Sequence, residues 1–465
     1  MHKKLLLLFI SLLLIACNDK NDTISQNTYL GGEIVNPKSD YIIISKDGAT
    51  IDTIELDSNN FFSYQFKNPK EGLYSFHHNE YQMFFLESGD SLLLRVNTMD
   101  FDESLIYSGR GAEKNNLLTE LYLKNQEETK LMPGVYQLPP KQFEEQVDSM
   151  YQKRLEIYND FNEKNEVSNA FKKIAKGNIA YDYYSKKELY VSANADNENF
   201  KNESLPEGFF DYRNKIDLNN NNLKSYFSYT RFLNRYFDNL AHKASNQKEY
   251  NRNSYAHNVE KIKLIDSLVK NDSIKNMLLR NTTRRYLINA RDKKQAEEVI
   301  ALYKESSSNQ EDILVIDKLA AASMKLIPGS DVPDILLVST ANENIMLQSL
   351  ISKHTVLYFW SSRSVKHYRD IHAKAAELKS KYPEYDFFGI NTDPDFKKWR
   401  DNVRRNNFSE KNEYQIDNIE NAAQQLVINS INKAIIVDKS GKILEGNTNL
   451  FDTIIETQLV GYLNR

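Results

Sequence analysis

The sequence predicts a multidomain α+β protein with an N-terminal antiparallel β-sandwich-like domain, a helical middle region and a C-terminal α/β domain. Three changes of pattern along the 465 residues predict this order. Short apolar or alternating runs between turn residues come first, a segment poor in glycine follows, and strand and helix patterns alternate at the end. The predicted segments are a signal peptide at 1–16, a tether at 17–28, the β-domain at 29–110, the helical region at 111–324 and the α/β domain at 325–465.

The N-terminus has the pattern of an export signal. Lys3 and Lys4 precede an apolar stretch at residues 5–15, which is shorter than the roughly 20 residues that span a bilayer. The following Leu14-Ile15-Ala16-Cys17 resembles the bacterial lipobox, in which the cysteine is lipidated and becomes the mature N-terminus. The resemblance implies lipidation at Cys17 and a cell-envelope protein anchored by lipid at the outer membrane, on the periplasmic or surface side. An ordinary secretory signal with a chance cysteine is the alternative.

The β-domain is predicted from evenly spaced strand patterns. Apolar or alternating runs occupy residues 41–44, 53–56, 62–66 and 92–96, with turn clusters rich in Asp, Asn, Ser and Gly between them. Such spacing is typical of a small antiparallel sandwich.

The middle region shows helical rather than strand spacing. Val259, Ile262, Ile265 and Leu268 recur at intervals of three and are expected to form core rather than a cofactor site. No sustained repeat of about 34 or 40 residues is present, so a solenoid is not predicted.

The C-terminal region alternates strands and helices. Strands are predicted at 335–338, 355–360 and 387–390, with a helix at 364–381 after the second of them. A hairpin at 434–445 and a helix at 451–463 complete an α/β layout with an antiparallel end.

Local motifs in this region carry a family resemblance. A buried strand ends at Phe359-Trp360, a short turn leads to Ser364-Val365-Lys366-His367, and Val437-Asp438-Lys439-Ser440-Gly441-Lys442-Ile443 forms a hairpin. Over roughly 325–465 this order resembles the thioredoxin-like fold of the TlpA/redoxin kind. In that family the turn presents Cys-x-x-Cys at a helix N-terminus, and a cis-proline faces it. Residues 29–120 resemble the uncharacterised β-domain that precedes such modules in bacterial lipoproteins, on the segments 84–92 and 108–116.

Ser364 and His367 stand at the two cysteine positions, and Asn432 stands at the cis-proline position; we name these three residues the relic site. Disulfide exchange needs a thiolate and a second thiol to resolve the mixed disulfide, and a serine hydroxyl replaces neither. The one cysteine of the chain is Cys17. The domain is therefore expected to be redox-inactive, with no catalytic residue, cofactor or metal. A trans peptide bond is expected before Asn432, because the cis form costs about 2.5–4 kcal/mol without proline.

Other chemistry at this site is a weaker hypothesis. Ser364, His367 and Asp370 follow one side of a helix, but residues in a row on one helix rarely converge into a catalytic triad. The simpler expectation is that Ser361, Ser362 or Ser364 caps the helix and that His367 and Asp370 are solvated.

Arg363 and Lys366 are candidate contacts for an acidic ligand, with solvated charges as the alternative. His367 and His372 are about 140° apart on the helix, which argues against a shared metal.

The charge balance restricts the partners. Lys+Arg is 60 and Asp+Glu is 64, so nucleic acid is not an expected partner. The favoured interpretation is a non-catalytic module of the cell envelope that binds a protein or peptide at the relic site. Two alternatives remain: a thiol-disulfide oxidoreductase by descent with altered activity, and an envelope structural or glycan-binding protein.

Overall fold

The structure is a computed structural model that describes residues 28–198 and 205–464. The predicted signal peptide, Cys17 and the tether up to residue 27 lie outside the described residues. The chain divides into two compact units, and the described residues of unit 1 are 28–187, 205–212 and 222–232. Those of unit 2 are 188–198, 213–221 and 233–464, so the predicted helical region contributes to both units.

Unit 1 begins with two four-stranded sheets. Their strands are β1 (Thr28–Val35), β2 (Tyr41–Lys46), β3 (Ala49–Glu55), β4 (Phe61–Phe66), β5 (Gly72–His78), β6 (Glu80–Leu86), β7 (Ser91–Asn97) and β8 (Ile106–Arg110). The sheet orders are β4-β1-β7-β8 and β3-β2-β5-β6. Buried apolar residues of both sheets form one core, as in a sandwich.

Strand β7 illustrates the alternation that the sequence predicts. Leu92, Leu94 and Val96 are buried, whereas Leu93 and Arg95 between them are exposed. The two sheets are antiparallel except for the pair β1–β7, which is parallel and was not predicted. The pair is parallel because the turn at 87–90 returns the chain to the starting end of β1, where the Tyr29 amide donates to the Asp90 carbonyl at 2.9 Å.

One short helix lies between β7 and β8, and eight further helices follow β8 in the described residues up to 323. They are α1 (Phe101–Ser104), α2 (Ala112–Val135), α3 (Pro140–Lys164), α4 (Asn169–Ala193), α5 (Phe227–Ala244), α6 (Tyr255–Leu268), α7 (Asp272–Ile288), α8 (Lys293–Ser306) and α9 (Gln310–Ser323). Within the described residues, no helix has both the length and the apolar content needed to cross a membrane.

Helices α6 to α9 of unit 2 begin at polar capping residues. Side chains that accept backbone N–H bonds begin α6 to α9, at Ser254, Asn271, Asp292 and Asn309 respectively. On α6, Ile262 and Ile265 are fully buried as predicted. Leu268, in the last turn, is 40% exposed, so that part of the predicted core stripe was wrong.

The C-terminal part of unit 2 is a seven-stranded mixed sheet. Its strands are β9 (Leu336–Ser339), β10 (Asn344–Met346), β11 (His354–Trp360), β12 (Tyr385–Asn391), β13 (Glu413–Ile416), β14 (Lys433–Val437) and β15 (Ile443–Asn449), in the order β10-β9-β13-β12-β11-β14-β15. Its helices are α10 (Leu347–Leu350), α11 (Val365–Lys381), α12 (Phe396–Arg405), α13 (Ile419–Gln425) and α14 (Ile455–Leu463).

Strand β11 is the centre of this sheet. It pairs in parallel with β12 and antiparallel with β14. Leu357 and Phe359 enter a core on one face, and Val356, Tyr358 and Trp360 enter a second core on the other. A strand covered on both faces accounts for the continuous apolar run in the sequence.

Candidate functional site at the start of helix α11

The turn between β11 and α11 is held by one buried carboxylate. Asp393 follows β12 and is 7% exposed. It accepts bonds from the Ser361 hydroxyl and the Ser362 backbone N–H, both at 2.5 Å. These two bonds fix the path of the chain as it enters the helix.

Ser364 occupies the N-cap position of α11 and is exposed. Its side chain makes no capping hydrogen bond. The Ser361 hydroxyl bonds to Asp393, and the enclosed Ser362 hydroxyl has no partner among the described residues. The prediction that one of these serine hydroxyls caps the helix was therefore wrong, because Asp393 organises the turn instead.

His367 is half-buried rather than solvated, which corrects the prediction for this side chain. Its ring lies against Phe451, with the ring centres 6.4 Å apart. Both ring nitrogens are enclosed, and the Asn432 side chain lies close enough to hydrogen-bond to the ring. Burial lowers the pKa of His367, while neighbouring Asn432 and Asp370 oppose that shift.

The same observation rules out an assembled triad in this structure. Among the described residues, no hydrogen bond joins the His367 ring to Ser364 or to the exposed Asp370, so the ring does not bridge the two. His372, five residues on, turns inward and is 8% exposed, so the two histidines diverge as predicted.

Asn432 lies in the loop before β14, close enough to His367 to influence its pKa. Its backbone N–H donates to the Ser430 hydroxyl at 3.2 Å. No peptide bond in residues 28–198 and 205–464 is cis, so the expected trans bond before Asn432 is observed.

Asn432 also borders a cavity of about 880 Å³ within unit 2, which we name the amide-lined cavity. Carboxamide side chains dominate its lining, namely Gln247, Asn251, Asn253, Asn289, Gln295, Asn429, Asn432, Asn447, Asn449 and Gln458. In the described part of the chain, the carboxamides of Asn253, Gln295 and Asn429 have no hydrogen-bond partner in the protein. The cavity therefore offers several amide donors and acceptors to a ligand.

Two cationic side chains also line the amide-lined cavity. Arg291 donates to Glu445 at 2.5 Å, and this pair satisfies much of its charge. Lys433 is 2% exposed and donates to the Val427 carbonyl at 3.0 Å. Burial lowers the pKa of Lys433 to about 7, although Glu445 opposes the shift, so its charge changes near neutral pH.

Sequence reasoning missed a buried polar cluster beneath the turn. Glu413 on β13 accepts bonds from Tyr358 Oη at 3.1 Å and Trp360 Nε1 at 2.9 Å. His372 Nε2 lies 3.1 Å from the same carboxylate, and its ring stacks on Phe408. Burial and the Glu413 charge hold the pKa of Tyr358 well above its ordinary value. The alternation of polar and apolar residues in β13 is a short strand signal that would have placed Glu413 on a strand, although not its buried partners.

The remaining predicted contacts stay on the surface. Arg363 and Lys366 are both exposed, and no ion pair holds either one among the described residues. In the same part of the chain, no group of three or more His, Cys, Asp or Glu side chains is placed to hold a metal ion.

Comparisons with known proteins agree with the architecture of the sheet. Residues 352–443 match the family model Thioredoxin_8, described as thioredoxin-like. A search of curated proteins found no match.

Two solved structures from Bacteroides are similar to the C-terminal part of this chain. The thioredoxin domain of a thiol-disulfide oxidoreductase from Bacteroides vulgatus is 17% identical, covering 30% of this chain and 96% of that one, with a TM-score of 0.25. A thiol:disulfide interchange protein from Bacteroides sp. is 18% identical, covering 30% and 90%, with a TM-score of 0.25. The C-terminal domain of this chain is thioredoxin-like, and it has no redox motif because the one cysteine of the sequence is Cys17.

Proposed function

We propose that this chain is a lipid-anchored protein of the cell envelope whose thioredoxin-like domain binds a protein or peptide segment without thiol chemistry. The observation that carries the proposal is the neighbourhood of the relic site. Side chains without a thiol occupy both cysteine positions, and Asn432 beside them opens onto the amide-lined cavity. The lipobox-like sequence ending at Cys17 supports the anchor.

The chemistry of the relic site favours binding over turnover. Disulfide exchange requires a thiolate that attacks sulfur and a second thiol that releases the product. Ser364 supplies a hydroxyl, and burial of His367 favours its neutral form. Neither group accepts or donates electrons in place of a thiol.

The chemistry of the cavity favours a peptide as the ligand. An extended peptide presents alternating N–H and C=O groups that need partners when they leave water. A carboxamide offers both donors and an acceptor, so the unpaired amides of Asn253, Gln295 and Asn429 match such a backbone. Exposed Phe451, which contacts His367, adds an apolar surface next to the relic site.

Photo-crosslinking in native membranes tests this proposal. A photoactivatable residue replaces Ile454, which lines the cavity and is 51% exposed, and captured proteins are identified by mass spectrometry. The test variant carries Ser364→Ala, His367→Ala and Asn432→Ala. The matched control carries Ser380→Ala, Lys397→Ala and Asn421→Ala, three exposed positions of the same domain.

The expected result is a partner captured by the wild type and the control and lost from the folded test variant. Capture of the same partners by all three proteins would contradict binding at the relic site and leave the domain a scaffold. A separate assay of insulin disulfide reduction tests the absence of thiol chemistry. Turnover by the purified chain would favour an oxidoreductase.

A further inference from the structure

We propose that unit 1 contains a binding pocket for a small amphipathic carboxylate, an apolar molecule with one anionic head group. The pocket has a volume of about 420 Å³ and is formed by strand β6 and helices α2, α4 and α5. Its residues all belong to unit 1, so the proposal does not depend on the function proposed for the thioredoxin-like domain.

Most of the surface of this pocket is apolar, although eight of its fourteen lining residues are polar, and the other six are apolar or aromatic. These six are Tyr81, Met83, Leu118, Tyr122, Tyr226 and Phe227. Tyr81 is 59% exposed and Phe227 is 70% exposed, so an apolar ligand in the pocket would cover ring surface that is otherwise in water. A volume of this size lies in the lower part of the range of about 300–1,000 Å³ found for small-molecule sites.

A buried cluster of charged side chains adjoins the pocket through Arg231. Asp182 pairs with Arg154 at 2.8 Å, with Lys186 at 2.6 Å and with Arg231. Glu128 pairs with Arg154 and Lys186. Three cations and two carboxylates leave one positive charge without a carboxylate in this cluster.

Arg231 brings that charge to the pocket. It lines the pocket, its side chain is 24% exposed, and its guanidinium lies over the Phe227 ring. One of its terminal nitrogens donates to Asp182, but its enclosed Nε has no partner in residues 28–198 and 205–464. The guanidinium therefore has a donor available for an anion.

Ser228 supplies a second unused donor at the same place. It lines the pocket, is 5% exposed and has a hydroxyl without a hydrogen-bond partner in the described residues. A buried polar atom without a partner costs free energy, and a bound acceptor would remove that cost. A carboxylate can accept from Arg231 and Ser228 while its hydrocarbon part covers the aromatic wall.

The test uses three probes with the same ten-carbon chain and different heads, namely decanoate, decan-1-ol and decyltrimethylammonium. Binding to the full chain is measured by isothermal titration calorimetry below the micelle-forming concentration. Decanoate is expected to bind about tenfold or more tightly than decan-1-ol, because a hydrogen bond to a charged group is stronger than a neutral one. The cationic probe is expected to bind more weakly than both.

Two variants distinguish the contribution of the ligand's carboxylate group from that of the apolar side chains in the pocket. Arg231→Gln is expected to reduce decanoate affinity to that of decan-1-ol, and Phe227→Ala to weaken both probes by about three- to tenfold through lost apolar contact. Arg404→Gln and Leu314→Ala, at positions 53% and 62% exposed outside the pocket, are matched controls without effect.

The proposal is overturned if decanoate fails to bind the wild type or binds no more tightly than decan-1-ol. It is also overturned if Phe227→Ala leaves binding unchanged. The head-group series in the wild type and the exposed Phe227 variant give a decision even if Arg231→Gln does not fold.

Discussion

Removal of the Glu413 carboxylate is the most direct test of the structure beneath the relic site. Glu413 is 1% exposed and is surrounded by Tyr358, Trp360 and His372, each within 3.1 Å of one of its oxygens. Glu413→Ala leaves three buried polar groups without their partner. Each such group costs about 1–3 kcal/mol, so the expected loss in the free energy of unfolding is about 3–6 kcal/mol after partial relaxation.

The assay follows from the position of the tryptophans. Trp360 and Trp399 are the two tryptophans of the chain, and both are fully buried in the thioredoxin-like domain. Urea unfolding followed by tryptophan fluorescence therefore reports on this domain, and Trp360 contacts the mutated side chain directly.

Glu377→Gln is the matched control. Glu377 is 45% exposed and pairs with Lys374 and Lys381 on the surface of α11. Exposed pairs contribute about 0–1 kcal/mol, so little change is expected. A loss below about 1 kcal/mol for Glu413→Ala would refute the reasoning that the buried hydrogen bonds determine its effect.

Three further predictions concern Lys433, His367 and Cys17. Between about pH 7 and pH 10.5, Lys433 is mostly neutral in the folded protein and charged in the unfolded chain. Unfolding therefore takes up a proton in this range, and the free energy of unfolding rises with pH. Lys433→Met should remove this pH dependence of the free energy of unfolding and stabilise the protein below pH 7 by at most about 5 kcal/mol. Urea unfolding at a series of pH values measures both effects, and an unchanged pH dependence would contradict the prediction. NMR titration should give His367 a pKa below 6.5, and Asn432→Ala should lower it further, whereas a rise would be inconsistent with the site. Cys17→Ala should move the protein from the membrane to the soluble fraction on cell fractionation, and retention would argue against a lipid anchor.

The frame of the thioredoxin-like domain was predictable because its central elements have strong local signals. The continuous apolar run that forms β11 is buried on both faces, and the turn at 438–442 fixes the β14–β15 hairpin. Strand β13 was missed because its alternating pattern covers only four residues, of which Glu413 and Gln415 are polar yet buried. Glu413 accepts from the Tyr358 hydroxyl and Gln415 donates to the Asp393 backbone carbonyl, and such distant partners are not visible in a local pattern.

The relic-site positions were predictable from the motif, but their surroundings were not. Ser364 lies at the helix start as expected. The enclosure of His367 depends on Phe451, 84 positions further along the chain. The amide-lined cavity likewise combines α6, α7 and the β14–β15 hairpin, which only tertiary packing brings together.

The loss of the cysteines is accompanied by an electrostatic change at the same turn. A helix N-terminus favours a thiolate because its free N–H groups and dipole stabilise negative charge. Here the Ser362 N–H already donates to Asp393, and that carboxylate lies beside the start of α11. A second negative charge at position 364 would be repelled by the Asp393 carboxylate. The turn is therefore better suited to neutral hydroxyl and amide groups than to a thiolate at position 364.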